Sequence, residues 1–160
     1  MDTGSTPAED SLSTVHRLRA LTVELHLLGA EFGRVHGLHS TDVRALICLL
    51  DAERSSRPAT PSWLGEQLHL NSASVTALID RMEKAGHARR QRDSQDRRRV
   101  FVEVTPEAVE LGWAFFGPVI ANALAAIGTY SPREVETVVR FLTDMQAAVE
   151  GTRRDSDINE

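Results

Sequence analysis

Residues 78–105 read LIDRMEKAGHARRQRDSQDRRRVFVEVT, and the spacing of the apolar residues changes inside this stretch. Leu78 and Met82 lie one helical turn apart, as residues on the buried face of a helix do. In residues 100–104 the valines alternate with other residues, which is typical of a half-buried strand. The stretch therefore predicts a helix followed by a two-stranded hairpin, in which residues 88–92 pair with residues 100–104.

The hairpin differs from the rest of the chain in charge. The whole sequence has 18 Lys and Arg against 23 Asp and Glu, a formal net charge of -5. Residues 80–99 hold eight basic and four acidic residues, so they carry +4 while the rest of the chain carries -9. An acidic body with one basic segment is typical of a protein that approaches a polyanion from one side. A solvated loop with local ion pairs is the alternative on charge alone.

Helix starts elsewhere in the chain are marked by a hydroxyl residue followed by proline. Thr60-Pro61, Thr105-Pro106 and Ser131-Pro132 each put a capping side chain before a residue suited to the first helical position. Asn71 and residues 40–42 are further cap candidates. Apolar periodicity between these signals predicts six helices, near residues 12–35, 43–50, 61–67, 71–85, 106–126 and 132–150. The chain is therefore predicted to be mainly α with one small β-hairpin.

The unit from Thr60 to Lys84 has the pattern of two helices joined by a short turn, with apolar positions only on their inner sides. Small hydroxyl and methyl side chains at the start of the second helix let the helix approach DNA closely and contact phosphates or base edges. Helix caps use the same residue types, so this pattern alone does not decide the function. The candidate DNA-contacting residues of this helix are Ser72, Ser74, Thr76, Ala77 and Arg81.

The hairpin that follows carries an arginine-rich tip. Such a hairpin, directly after a helix-turn-helix, forms a wing that can reach the adjacent minor groove of DNA. The guanidinium group is planar and weakly hydrated, and a narrow minor groove attracts it by its negative potential. The candidate wing residues are Arg97, Arg98 and Arg99, with Asp96 suited to hold one guanidinium in a fixed orientation.

This segment resembles the signature of the MarR family, which are winged helix-turn-helix repressors of the multiple-antibiotic-resistance type. The matching residues are Leu78-Ile-Asp-Arg-Met-Glu-Lys-Ala-Gly86, Arg89-Arg90, Asp93-Ser-Gln-Asp96-Arg97-Arg98 and Val104-Thr105. The resemblance covers the whole chain in the order of its elements and is sharp from about Trp63 to Thr105. His87 and Gly65 depart from the family pattern, which has an aliphatic residue and alanine at these positions.

The resemblance implies a fold and a mode of DNA binding. The fold is a winged helix-turn-helix plus a helical dimerisation domain, formed by the first, fifth and sixth of the six helices in a homodimer. The helix after Asn71 would read the major groove, and Arg98 would enter the minor groove with Asp96 as its orienting partner. Four segments are expected: an N-terminal tail with the first dimerisation helix (1–38), the DNA-binding lobe (39–104), the C-terminal dimerisation helices (105–150) and a flexible tail (151–160). Within the DNA-binding lobe, the recognition helix is expected near residues 71–85 and the wing near residues 87–104.

The last helix indicates a dimer independently of the family. Its apolar residues step alternately by three and four positions, at Val135, Val138, Leu142, Met145 and Val149. This spacing makes a narrow seam suited to a partner helix, and packing within the same chain is the alternative. A two-fold dimer would bind a palindromic operator whose half-sites lie about one helical turn apart.

The resemblance also implies release from DNA by a small, often aromatic or anionic, effector molecule. His26 and His36 lie on a stripe of small residues on the first helix, and Trp113 and Phe116 on the fifth helix are suited to wall a pocket. Ordinary helix packing is the alternative for all four residues.

Neither a thiol sensor nor a metal site is expected. Cys48 lies among apolar residues, which indicates a buried and inert thiol. His36, His39 and Asp42 come close together in the sequence but have no fourth ligand in view, so no zinc site and no cofactor are predicted.

The remaining features narrow the class of protein. The sequence has no Gly-rich phosphate loop, nucleophile elbow or spaced carboxylates, so an enzyme is not expected. No apolar run approaches the about 20 residues of a membrane span, the start is polar and acidic, and the single cysteine fits a reducing cytoplasm. The predicted function is a cytoplasmic, sequence-specific regulator that binds double-stranded DNA as a homodimeric, effector-released repressor. An architectural or weakly specific DNA-binding protein without an effector is the alternative.

Overall fold

The computed structural model describes residues 7–93, 96 and 99–157, and its elements follow the predicted order. They are α1 (Pro7–His36), α2 (Ser40–Arg54), α3 (Pro61–Leu68), α4 (Ser72–Lys84), β1 (Ala88–Arg92), β2 (Val100–Val104), α5 (Pro106–Ile127) and α6 (Pro132–Asp157). The strands pair antiparallel, with Ala88 opposite Val104 and Arg92 opposite Val100. The predicted fold, mainly α with a hairpin wing, is confirmed.

Two side-chain caps fix the ends of the helix-turn-helix as predicted. The Thr60 hydroxyl accepts a hydrogen bond from the Trp63 N–H at 3.2 Å, at the start of α3. The Asn71 side-chain oxygen accepts one from the Ser74 N–H at 2.9 Å, at the start of α4. Because each cap satisfies a backbone donor that the helix leaves unpaired, the starts of both helices are determined locally.

The start of α2 differs from the prediction, which offered residues 40–42 as cap candidates. The N-cap is His39, and its N–H donates to Oδ2 of Asp42 at 3.0 Å. Asp42 thus caps the helix from its third position, as the acidic residue of a capping box does. Asp42 is only 2% exposed, and it is the one charged side chain buried among the described residues.

The hydrophobic core lies between α2, α3, α4, the hairpin and the first turn of α5. Its members include Leu46, Leu49, Leu64, Leu68, Val75, Leu78, Ile79, Met82, Val102, Val104 and Ala108. The hairpin is joined to this core through its backbone, because the Val102 N–H donates to the Ala59 carbonyl at 2.8 Å. The hairpin therefore packs into the same hydrophobic core as the helix-turn-helix.

Gly65, one of the two departures from the family pattern, lies where α3 meets α4. A Cβ atom at this position would come within 3.0 Å of Cγ2 of Val75 and 3.1 Å of the Leu70 carbonyl oxygen. Glycine inside a helix costs about 1 kcal/mol in propensity relative to alanine. Here its missing side chain lets the two helices approach closely.

The chain divides into two compact units, residues 1–112 and 113–160. The second unit holds most of α5 and all of α6, and none of its described side chains, from Trp113 to Thr152, is buried. In the first unit, Phe32 and Gly33 are the only buried residues of α1 among those whose burial the structure describes. Both units therefore expose apolar helix faces.

The helix α6 continues to Asp157, beyond the predicted end at Glu150. Residues 151–160, which begin with Gly151, were expected to form a flexible tail at the end of the chain. A single glycine does not end a helix, because its cost of about 1 kcal/mol is small beside the bonds of the turns on either side. The expectation of a sixth helix ending near Glu150 was wrong in this respect.

The helix α5 is the one described helix that is long and apolar enough to cross a membrane, with a window of mean hydropathy 1.4, none of it buried. The expectation that no apolar run reaches this length was therefore wrong. Length and composition do not distinguish a membrane span from an apolar helix that a protein partner covers.

Candidate nucleic-acid interface

The helix α4 has one buried face and one exposed face. Its buried residues, Val75, Leu78, Ile79 and Met82, contribute to the core. The five predicted DNA-contacting residues are all exposed, and they are Ser72, Ser74, Thr76, Ala77 and Arg81. The Thr76 hydroxyl donates to the Ser72 carbonyl at 2.9 Å, so it retains only acceptor capacity for a ligand. The exposed face thus carries small groups at the start of the helix and a guanidinium near its end.

One flank of this helix is bound to α2 through Arg81. Its Nε donates to Oδ2 of Asp42 at 3.2 Å, and its Nη2 donates to Oδ1 at 2.5 Å. The hydrogen bond to Asp42 raises the pKa of Arg81. A two-pronged ion pair therefore joins the N-terminus of α2 to the candidate recognition helix.

The other flank is bound to the hairpin through Arg90 of β1. The Arg90 N–H donates to Oε1 of Glu83 at 2.7 Å, and its guanidinium pairs with the Glu83 carboxylate and with Oδ1 of Asp80 at 2.7 Å. Burial lowers the pKa of Arg90, but its hydrogen bonds and the two carboxylates raise the pKa by more. We call these three residues the wing latch, because they hold the hairpin against α4.

The wing latch was not predicted from the sequence. A signal was present: two carboxylates three residues apart near the end of α4 precede arginines on the next strand. The spacing does not say which arginine the carboxylates meet. That choice depends on the register of the hairpin.

Two further arginines of the basic segment are also paired. Arg89 lies opposite Glu103 in the hairpin and bonds to its carboxylate at 3.0 Å, and Arg99 lies 3.9 Å from the Asp93 carboxylate. The Arg99 guanidinium also stands 5.3 Å from the ring centre of Phe101. The Arg89–Glu103 pair is exposed on both sides, and such pairs contribute little to stability.

The ion pairs reduce the positive charge that the segment can offer to a ligand. Two of the carboxylates that neutralise its arginines, Asp42 and Glu103, lie outside residues 80–99 and were not counted in its net charge. Lys84 and Arg92 make no ion pair within the part of the chain that the structure describes. Charge counted along the sequence therefore overstated the free basic charge of this segment.

The wing tip is described only in part. Arg97 and Arg98, the predicted minor-groove residues, lie outside the described residues. Asp96 is exposed, and its carbonyl accepts from the Arg99 N–H at 2.9 Å, while the Asp93 N–H donates to the Arg99 carbonyl at 3.0 Å. These bonds close the loop between the strands. The predicted pairing of Asp96 with Arg98 stays a prediction.

The four effector candidates lie in two places. His26 is exposed on α1, and His36 packs its ring 4.7 Å from that of Phe32. On α5, Trp113 is exposed and Phe116 makes an edge contact with its neighbouring phenylalanine at 4.9 Å. A surface groove of about 790 Å³ lies between the end of α2, β2 and the start of α5, and none of the four candidates lines it.

Cys48 is half-buried, and burial raises the pKa of its thiol. The thiol therefore stays protonated at neutral pH, and only the thiolate is a strong nucleophile or metal ligand. Asp42, which was weighed as a zinc ligand, has both carboxylate oxygens bonded to Arg81. No cluster of three metal-ligating side chains occurs among the described residues.

Comparison with known proteins decides the family. The MarR family model matches residues 38–100, which hold the helix-turn-helix and most of the hairpin. The transcriptional regulator YcgE of Bacillus subtilis is 30% identical over 142 residues, 89% of this chain and 90% of its own length. The chain belongs to the MarR family. As a member, this protein is a DNA-binding transcriptional regulator and not an enzyme.

Two other proteins are similar to this MarR-family chain. The transcriptional repressor YetL of Bacillus subtilis is 25% identical over 109 residues, 68% of this chain and 64% of its own length. MepR of S. aureus shares the fold at 18% identity. A mutant MepR from a multidrug-resistant clinical isolate has a TM-score of 0.67, covering 85% of this chain and 96% of MepR, and a MepR–DNA complex has a TM-score of 0.55, covering 84% and 98%.

Proposed function

We propose that this MarR-family regulator binds a palindromic operator as a homodimer and represses transcription. In this proposal α4 enters the major groove and Arg98, at the wing tip, enters the adjacent minor groove. The observation that carries the proposal is the exposed polar face of α4, which ion pairs hold on both flanks, to α2 through Asp42 and to the hairpin through the wing latch. A helix held in this way keeps its orientation when it meets DNA.

The chemistry of the exposed face suits the major groove. The hydroxyl of Ser74 makes no hydrogen bond within the described residues, so it remains available to a phosphate or a base edge. The methyl group of Ala77 lies on the exposed face and is small enough for close approach or for contact with thymine. The N-terminal end of a helix also attracts phosphate through its unpaired N–H groups.

The homodimer is supported by the apolar faces that the single chain leaves exposed. The seam of α6 is at best half-buried, with Leu142 44% exposed and Val149 54% exposed. The apolar window of α5 is not buried at all. Apolar helix faces of this extent need a partner, and a second copy of the chain would cover the faces of α1, α5 and α6. The segments 1–38 and 105–150, which precede and follow the DNA-binding lobe in the sequence, then contain the dimerisation helices.

Repression and its control make up the finer part of the proposal. YetL, the similar protein of Bacillus subtilis, is a repressor. An aromatic or anionic effector would release the operator, and His26, His36, Trp113 and Phe116 are the residues to test first. The protein would act in the cytoplasm, where its DNA is found.

The test is a footprint of the purified full-length protein on the DNA upstream of its own gene, in moderate salt. We expect a protected palindrome for the wild type and its loss for Arg98→Ala, with the dimer and its melting temperature unchanged. Arg54→Ala is the matched control, because it removes an equal charge from an exposed pair on α2. Smeared protection that disappears with a modest rise in salt would instead indicate an architectural protein, since non-specific binding depends almost wholly on phosphate charge.

A further inference from the structure

Asp42 is unusual among the charged residues because it is 2% exposed. Taking a carboxylate out of water is costly unless hydrogen bonds and an opposite charge compensate for the lost hydration. Both kinds of compensation are present. Its Oδ2 accepts from the His39 N–H and from Nε of Arg81, and its Oδ1 accepts from Nη2 of Arg81.

The partner, Arg81, is not buried with it. The Arg81 side chain is 43% exposed and lies on the outer face of α4, one helical turn beyond Ala77. A guanidinium has five N–H donors, and Asp42 uses the one on Nε and one of the two on Nη2. Three donors remain. The second hydrogen on Nη2 and one of the two on Nη1 point outward along the end edge of the group, and the other hydrogen on Nη1 points towards the Cδ side. The end edge has the geometry for two parallel bonds to a phosphate or to guanine.

A free arginine samples many rotamers and can follow whatever acceptor is near. Arg81 cannot do so while Asp42 accepts hydrogen bonds from Nε and Nη2 of its guanidinium group. Its open edge therefore points in a set direction relative to α4, and α4 is itself held by the wing latch. A donor pair fixed in this way meets an acceptor at one position of a duplex and misses it when the base pair there is changed.

We propose that Asp42 is a positioning residue, which holds Arg81 as a preorganised DNA contact that discriminates between DNA sequences. The inference rests on the proposed function, because it requires α4 to lie in the major groove. It goes further by assigning Arg81 a fixed direction, which its buried partner Asp42 imposes on the exposed guanidinium.

Two simpler roles for Asp42 make different predictions. If the carboxylate only masked the charge of Arg81, its removal would strengthen binding to every DNA and steepen the dependence on salt. If it only stabilised the fold, a variant that is still folded would bind all DNA as the wild type does. A positioning role lowers the preference for the correct sequence and leaves binding to unrelated DNA the same or stronger.

The experiment compares the full-length wild type with Asp42→Asn and Arg81→Lys. Asparagine keeps an oxygen that can accept from His39, while lysine keeps the charge of Arg81 at an exposed site but has no fork. Each protein is titrated, at several salt concentrations, against a duplex that the wild type has selected from a random-sequence pool and against a scrambled duplex of equal length and composition. Arg54→Lys, in an exposed pair on α2, is the matched control.

We expect both variants to reduce the ratio of the two affinities by roughly 5- to 150-fold, the range for one bidentate contact. The double variant should be no worse than either single one, because the two residues act as a unit, and Arg54→Lys should keep the ratio. An unchanged ratio in Arg81→Lys, or tighter binding of both duplexes by a folded Asp42→Asn, overturns the proposal. If Asp42→Asn fails to fold, Arg81→Lys decides.

The same titrations separate this proposal from the one on which it rests. A wild type that selects no sequence and does not distinguish the two duplexes overturns the proposed function, and this inference falls with it. A wild type that discriminates, together with variants that discriminate equally well, overturns the role of Asp42 and Arg81 alone.

Discussion

Replacing Glu83 by glutamine should weaken the wing latch and lower the free energy of unfolding by about 1 kcal/mol. The Glu83 carboxylate accepts from the Arg90 N–H at 2.7 Å and pairs with its guanidinium, and both side chains are 31% exposed. Hydrogen bonds to a charged group contribute about 1.5–3 kcal/mol, against about 0.5–1.5 for neutral ones. Losing the charge from two such bonds would cost about 2 kcal/mol if they were fully buried. Their partial exposure, and the continued pairing of Arg90 with Asp80, halve this figure.

The assay is urea denaturation at equal protein concentration, since the proposed dimerisation would make the apparent stability depend on concentration. A loss of about 1 kcal/mol corresponds to about 2–4 °C in melting temperature for a chain of this size. Glu103→Gln is the matched control, because its pair with Arg89 has side chains 44% and 58% exposed. We expect a change below about 0.5 kcal/mol there, as for other exposed pairs. Equal losses in the two variants would refute the argument that the latch holds the wing.

Three further experiments, two with substitutions and one with an alkylating reagent, test other parts of the structure. Ser74→Glu should abolish operator binding, because it adds negative charge at the start of α4. Thr137→Glu adds the same charge on α6 and should leave binding unchanged. If the Ser74→Glu variant still binds, α4 does not enter the groove. His69→Gly should raise the free energy of unfolding by about 1 kcal/mol, because His69 has φ 53°, in the left-handed region where a side chain is strained. Urea denaturation measures this change. A lower free energy of unfolding in the variant would show that the strain is absent. The raised pKa of the Cys48 thiol favours its neutral form in the folded chain, and this contribution to stability is lost as pH rises through that pKa. Iodoacetamide reacts with the thiolate, so it should alkylate the folded protein at pH 7 more slowly than the urea-unfolded protein. Equal rates would contradict this prediction.

The sequence by itself predicted the secondary structure of the DNA-binding lobe closely. The strands at residues 88–92 and 100–104 and the caps at Thr60 and Asn71 all occur where the pattern indicated. These features depend on residues within about one helical turn or one strand of each other, so local spacing carries them. The same holds for the exposure of the small residues on α4, which follows from the periodicity of its apolar face.

The tertiary structure alone decided which charges meet. Asp42 and Arg81 are 39 positions apart, and only the packing of α2 against α4 brings them together. The register of the hairpin selects Arg90, rather than its neighbour Arg89, as the partner of Glu83. Because charge is long-ranged and every arginine can pair with every carboxylate, the sequence shows how much charge is present but not where it is neutralised. Local spacing and capping residues therefore predicted the helices and strands of the lobe, and packing determined which of its arginines are paired.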